Sequence, residues 1–298
     1  MITVLRPRLA TALVGFSAVF VAACGAGGGG TPGPHPTATP APTATGTPVA
    51  TPAPTTPPPT ASPAPVPATA QASAYFIRDG RVAPAHRSVS AAAPARDAVL
   101  ALIAGPSAVE SAAGLSSDVP SSTRLLGVSI SASVATVDLS REFTGGTTAS
   151  QARRVAEVVC TLTQFSTVRS LRFHVDGAPV SSLGGIALSS PVSRAGVESW
   201  LPAILVESPA SGDSVRSPLR VHGSANTFEA QFQLRLVTAA GVRLFDFPVK
   251  ATSGTGTRGT FDVTVWFTAS GPATLTAYEI SGRGDIVNVN PTPVILLQ

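Results

Sequence analysis

Histidine, cysteine, serine and carboxylate side chains do chemistry only where spacing brings them together, and this sequence gives few such groupings. The four histidines are His35, His86, His174 and His222. They fall in separate segments, and none forms an HExxH-type pair that would put two imidazoles on one helix face for zinc. His174 alternates with Phe173 along an extended run, which suits a solvated side chain. Serines are plentiful, but none sits in a Gly-x-Ser-x-Gly turn that would expose a nucleophile. Residues 25–30 are glycine-rich without the lysine of a phosphate-binding loop, so they read as linker. Arg283-Gly284-Asp285 spells an adhesion tripeptide, but turn chemistry accounts for it. Cys160 lies in a strongly helical stretch and reads as a small apolar residue. No catalytic residue, cofactor ligand or metal ligand emerges, and the chain reads as a non-enzyme.

The one thiol with a legible chemistry is Cys24. Residues 1–8 carry Arg6 and Arg8 and no acid, and residues 9–23 form an uncharged, largely apolar run ending Val21-Ala22-Ala23-Cys24. Fifteen residues of helix span roughly 22 Å, short of the ~30 Å bilayer core, so a cleaved signal segment (1–23) fits better than a membrane span. The small residues before Cys24 resemble a bacterial lipobox. That implies a mature chain starting at Cys24 and acylated there by diacylglycerol, with palmitate-type chains as the membrane anchor. Two or three acyl chains hold far more firmly than one, at ~0.8 kcal/mol per buried methylene. Cys160 is then left without a disulfide partner.

A tether follows. Residues 25–72 contain no charge, 14 prolines and 11 threonines. Such a tract cannot bury enough apolar surface to offset its ordering entropy and should be extended, reaching at most on the order of 150 Å. We assign residues 24–72 as a disordered tether that carries the folded part from the membrane into the cell wall.

Two folded units remain, 73–200 and 201–298. They carry 11 basic against 9 acidic and 7 against 7 charged residues. This gives neither the basic stripe that phosphate-backbone binding needs, which excludes nucleic acid as a partner. Only 12% of the 298 residues are charged, against 44% hydrophobic, so long solvated helices and coiled coils are excluded as well. In the first unit, residues 73–78 and 82–89 read as strands joined at Asp79-Gly80. A helix starts at Pro94 and stops at Gly105-Pro106, and residues 107–113 suit a helical turn. Residues 123–130 and 134–139 pair as strands. Residues 148–165 form the best-patterned helix, capped by Thr148 or Ser150, with Val155, Val158, Val159, Leu162 and Phe165 on its apolar stripe. Arg153 and Glu157 are placed on its exposed side. Residues 171–175 close the unit as a strand turned by Asp176-Gly177. The order ββαββαβ implies a two-helix α+β domain, mostly antiparallel, with helices on one sheet face. In the second unit seven β-rich runs (204–207, 219–223, 228–237, 242–249, 259–267, 273–280, 286–297) are separated by Ser, Gly and Pro. They imply an all-β immunoglobulin-like sandwich filled by Phe232, Phe245, Phe261 and Trp266.

Leu102-Ile103-Ala104-Gly105-Pro106, Gly114-Leu115-Ser116, Val119-Pro120, Thr123, Val137-Asp138-Leu139-Ser140, Phe143, Thr161-Leu162-Thr163-Gln164-Phe165 and Val175-Asp176-Gly177 together resemble the GerMN domain of bacterial sporulation and germination lipoproteins. Cys160 departs from it, standing where an aromatic residue is expected. Ser208-Pro209, Gly212, Val215, Ser217-Pro218, Val221-His222-Gly223-Ser224-Ala225 and Phe228-Glu229-Ala230 resemble Gmad2, an immunoglobulin-like module often joined to GerMN. The resemblance implies assembly or scaffolding and supplies no catalytic residue. Leu115 and Val119 are expected to fill core, Gly105-Pro106 to stop a helix, and Asp138 to tighten a turn.

The expectation is therefore a lipid-anchored protein on the outer face of the cell membrane, holding two interaction domains for envelope assembly linked to sporulation or germination. Its partners would be envelope proteins or further copies of itself. The rival expectation is an envelope receptor whose loops or inter-domain cleft take a peptidoglycan or other wall glycan fragment, which exposed aromatic residues clustered on one rim would favour.

Overall fold

The computed structural model describes residues 68–298. The signal segment, Cys24, His35 and the tether up to residue 67 lie outside the described residues.

β1 (Thr69–Arg78) and β2 (Arg81–Ser90) form an antiparallel hairpin. Its two-residue turn places Asp79 at φ 52° and Gly80 at φ 74°, the left-handed pair that matches the twist of the flanking strands. The pairing starts at Thr69, so the last four residues of the tract assigned to the tether belong to the strand. Ala72 packs there with Val89 and Ala98. α1 (Pro94–Ala104) begins on a proline, whose missing N–H costs nothing in the first turn, and ends at Gly105. α2 (Ala108–Ala112) carries a complete capping box between Ser107 and Glu110.

β3 (Leu125–Ser131) and β4 (Val134–Leu139) are antiparallel. α3 (Thr148–Thr163) then crosses over to β5 (Ser170–Val175), which lies parallel to β4. β6 (Ala178–Pro179) adds to β5, and β7 (Ser182–Leu183) pairs with β8 (Ile186–Ala187). The domain is α+β and mostly antiparallel, with β4–β5 the parallel exception. Its strands divide into separate sheets rather than one: the β1–β2 hairpin stands apart from the sheet ordered β3-β4-β5-β6. The reason lies on the free edge of β1, where helix side chains replace a neighbouring strand. Thr161 Oγ1 accepts the Tyr75 N–H at 3.0 Å. Gln164 accepts the Ser73 N–H at 2.7 Å and donates to the Ser73 carbonyl at 2.6 Å.

α3 therefore runs between two layers, and this corrects two expectations. Its cap is Thr147, whose hydroxyl accepts the Ser150 N–H, rather than Thr148 or Ser150. Glu157 is not on an exposed face but fully buried. Its neighbour Arg153 pairs instead with Asp118 (Nε–Oδ2, 2.6 Å). A helix covered on both sides has little solvent face to offer.

The second domain comprises β9 (Ile204–Ser208), β10 (Ser214–Arg216), β11 (Leu219–Ala225), β12 (Gln231–Thr238), β13 (Arg243–Lys250), β14 (Gly259–Val265), β15 (Gly271–Ile280) and β16 (Ile286–Leu297). A sheet ordered β14-β11-β9 faces one ordered β10-β16-β15-β12-β13. β10 is the strand missing from the sequence reading; its three residues run parallel to β16. Phe232 and Phe261 meet edge-to-face at 4.8 Å across the core, and Phe245 is partly buried beside Phe247. Trp266 does not fill this core: it is 70% exposed. Phe261, Val265 and Phe267 take the inward positions, so the two-residue period of an extended chain sends Trp266 outward.

β9 is shared by both cores. Ile204 and Val206 point into the sandwich, whereas Leu205, between them, is fully buried in the core of the first domain. At Gly223 on β11, a methyl group would collide with the Leu205 carbonyl, which keeps that position bare.

Candidate functional site

A cluster of polar side chains from both domains converges at the seam between them. Glu207 follows Leu205 on the same side of β9 and reaches the first domain. Tyr75 of β1 donates its hydroxyl to Glu207 Oε1 at 2.6 Å, and Arg194 pairs with the same oxygen. Arg194 comes from the 3-10 segment Arg194–Trp200. It also donates to Thr163 Oγ1 at 2.9 Å and to the Tyr75 oxygen at 3.2 Å, with its guanidinium 5.3 Å from the Tyr75 ring centre.

The electrostatics follow from that packing. Burial alone would raise the Glu207 carboxyl, yet Arg194 and the Tyr75 hydroxyl hold it below the usual carboxylate range. Burial, aided by the neighbouring carboxylate, pushes the Tyr75 hydroxyl well above its ordinary value. Burial also works against the charge on Arg194, but Tyr75, Cys160 and Glu207 around it keep it firmly protonated.

Three further ties cross the same seam. His86 on β2 places Nδ1 2.7 Å from Asp213 Oδ2 and Nε2 3.2 Å from the Glu207 carbonyl oxygen. Arg78 donates to Ser211 Oγ at 2.9 Å and to Asn290 Oδ1 at 2.6 Å. Glu198 accepts from Arg258 Nε at 2.9 Å and from Asn226 Nδ2 at 3.0 Å. Grooves remain between these ties. One of about 500 Å³ is lined by Arg194, Glu198, Glu207 and Arg258. Another of about 380 Å³ is lined by Ser73, Tyr75, His86, Gln164, Glu207 and His222.

His86 and His222, assigned to separate elements, thus share one groove; His174 stays on β5, half-buried and apart from them. Among the described residues no group of three or more His, Cys, Asp or Glu is placed to hold a metal. Cys160 is fully buried, and burial pushes its thiol up to about 11. Arg283-Gly284-Asp285 forms the β15–β16 turn, closed by the Gly284 N–H on the Ser281 carbonyl at 2.8 Å. Asp138 accepts the Gly177 N–H at 3.1 Å and so tightens the turn after β5. Leu115 and Val119 are buried in the first core. What the seam does chemically is hold: Arg194 with Glu207, Arg258 with Glu198 and His86 with Asp213 are each spent on one another. Nothing in the sequence announced these pairs, because their members lie 13, 60 and 127 residues apart.

Comparison with known proteins agrees with this architecture. Residues 68–181 match the Germane family, described as sporulation and spore germination. Residues 203–285 match Gmad2, described as the immunoglobulin-like domain of bacterial spore germination. Neither is a family of known enzymes. No curated protein matches the chain. Similar solved structures include the tandem GerMN domains of the sporulation protein GerM from Bacillus subtilis, at 19% identity and TM-score 0.39. That match covers 61% of this chain and 60% of that one, so the chain spans about three fifths of its length. A putative lipoprotein from Clostridium perfringens aligns at 24% identity and TM-score 0.31, over 42% of this chain and 88% of the other. The first GerMN domain of GerM aligns at 22% and 0.36, over 43% and 98%. The chain carries a GerMN domain followed by a Gmad2 immunoglobulin-like domain.

Proposed function

We propose that this protein is a lipid-anchored scaffold on the extracytoplasmic face of a bacterial membrane, presenting its GerMN and Gmad2 domains as one rigid interaction unit in sporulation or germination. One observation carries the reading: β9 inserts Leu205 into the first core and Ile204 and Val206 into the second. Separating the domains would expose Leu205 and unpair Glu207 together, so two recognition surfaces keep a constant relative orientation. A scaffold needs that; a flexible pair of binding modules does not.

The rival glycan receptor calls for aromatic residues gathered on one rim. The exposed Trp266 and Phe228 instead stand on separate elements, Trp266 just past the end of β14 and Phe228 in the 3-10 turn before β12.

Cys24 and the tether carry the anchoring part of the proposal. Cys24→Ala, expressed in a bacterial host, should move the full-length protein from the detergent phase to the aqueous phase on phase separation. Continued detergent partitioning of the variant would refute the anchor. Crosslinking in intact cells followed by mass spectrometry tests the scaffold, and recovery of only lipids and wall sugars would count against it.

A further inference from the structure

We propose that the seam between the two domains is a proton-controlled latch, in which the imidazolium form of His86 clamps Asp213 and the Glu207 carbonyl, and loss of its proton loosens the docking. The geometry alone points this way. Both ring nitrogens face oxygen acceptors, a carboxylate at 2.7 Å and a backbone carbonyl at 3.2 Å. Only the doubly protonated ring has two N–H donors; either neutral tautomer turns a lone pair toward one of those oxygens.

The surroundings favour the charged ring on balance. The Asp213 hydrogen bond raises the His86 pKa, burial opposes it, and the Asp213 charge and the Glu207 carbonyl add to the rise. From its own strand Arg87 works the other way, but its guanidinium is spent on Glu110 in a two-pronged pair. The other groups facing the groove are Tyr75 and Arg194, which hold the Glu207 side chain, and His222. Arg216 borders the groove and donates to the Gln298 carbonyl.

The sign follows. A histidine whose pKa is raised on folding contributes stability that is fully present below its unfolded value and is lost as pH rises through its folded value. Docking should tighten in mild acid and loosen above neutrality. The arginine ties stay charged throughout, so the latch changes the frequency of seam opening without dissolving the interface.

Hydrogen exchange on the full-length protein tests this at about pH 5.5 and about pH 8.5, with rates corrected for intrinsic exchange. The hydrogen-bonded amides of Ala210, Gly212 and Asp213 should lose protection by about fivefold at the higher pH, the difference between a charge-assisted and a neutral hydrogen bond. In His86→Gln the loss of protection in excess of that shown by amides of α3 should vanish, while His222→Gln should retain it. A seam whose protection is flat with pH in the wild type, or a His86→Gln protein that keeps the full pH dependence, would overturn the latch. Should His86→Gln fold poorly, the wild-type His86 ring signal followed by NMR decides: a midpoint at or below that of an ordinary histidine overturns it.

Discussion

The two domains solve the problem of a buried interior in opposite ways. The Gmad2 sandwich is built by alternation alone: Phe232, Leu234 and Leu236 point inward from β12, facing Phe261 and Val265 of β14. Its buried polar side chains are hydroxyls, Ser224, Thr227, Thr276 and Thr292. The GerMN domain instead buries Arg154, Glu157 and Thr161 along α3, because that helix lies between the β1–β2 hairpin and the β4–β5 sheet. Each of the three is given work. Arg154 donates to the Gly145 carbonyl at 2.7 Å, Thr161 accepts from β1, and Glu157 accepts the Asp118 N–H at 3.1 Å. A sheet with one open face can sort polar from apolar by its two-residue period. A helix covered on both sides must find partners in whatever packs against it, and here Arg154 Nε and Glu157 Oε1 find none.

Leu205→Ala attacks this contrast at the point where the two interiors meet. It should cost about 2–5 kcal/mol, the usual range for a fully buried leucine, and should lower one common thermal transition. Calorimetry showing the GerMN transition unmoved would mean that the two cores are independent after all. The next largest effect concerns Glu157, whose carboxyl burial pushes up to about 8. An acid whose pKa rises on folding is most stabilising below its unfolded value and destabilises progressively as pH climbs toward the folded one. Glu157→Gln should therefore gain stability relative to wild type between about pH 5 and 8, by on the order of 3 kcal/mol at pH 7. Denaturant melts across that range check the sign, and a wild type whose stability is flat over it would remove Glu157 from the account. The smallest effect sharpens the helix side of the comparison: Thr147→Ala should cost about 1 kcal/mol by uncapping α3, visible as a reduced denaturation midpoint.

Much of the secondary structure was legible in the residues. Asp79-Gly80 and Asp176-Gly177 marked turns because their backbones adopt positive φ at both positions. Pro94 and Gly105 bounded α1, and the alternating runs from 204 to 297 became strands. The misplaced faces share one cause. Helical period alone puts Glu157 and Arg153 on an exposed face, and apolarity alone puts Trp266 in the core. Period and apolarity describe one element at a time, and neither states what lies against each face. The seam was beyond reach for the same reason: His86 and Asp213 are ordinary residues in their own strand and loop, 127 positions apart.

From the linear chain alone came the boundaries of turns, the periods of helices and strands, and the family character of both domains, since all of these are written in local spacing. Only the folded molecule decided that β9 would lend one side chain to a neighbouring core and that an acid in mid-helix would lose its solvent. It also decided that two distant charges would meet across a groove. Such outcomes depend on how finished surfaces dock, and docking is set by shape and desolvation summed over elements far apart in the chain.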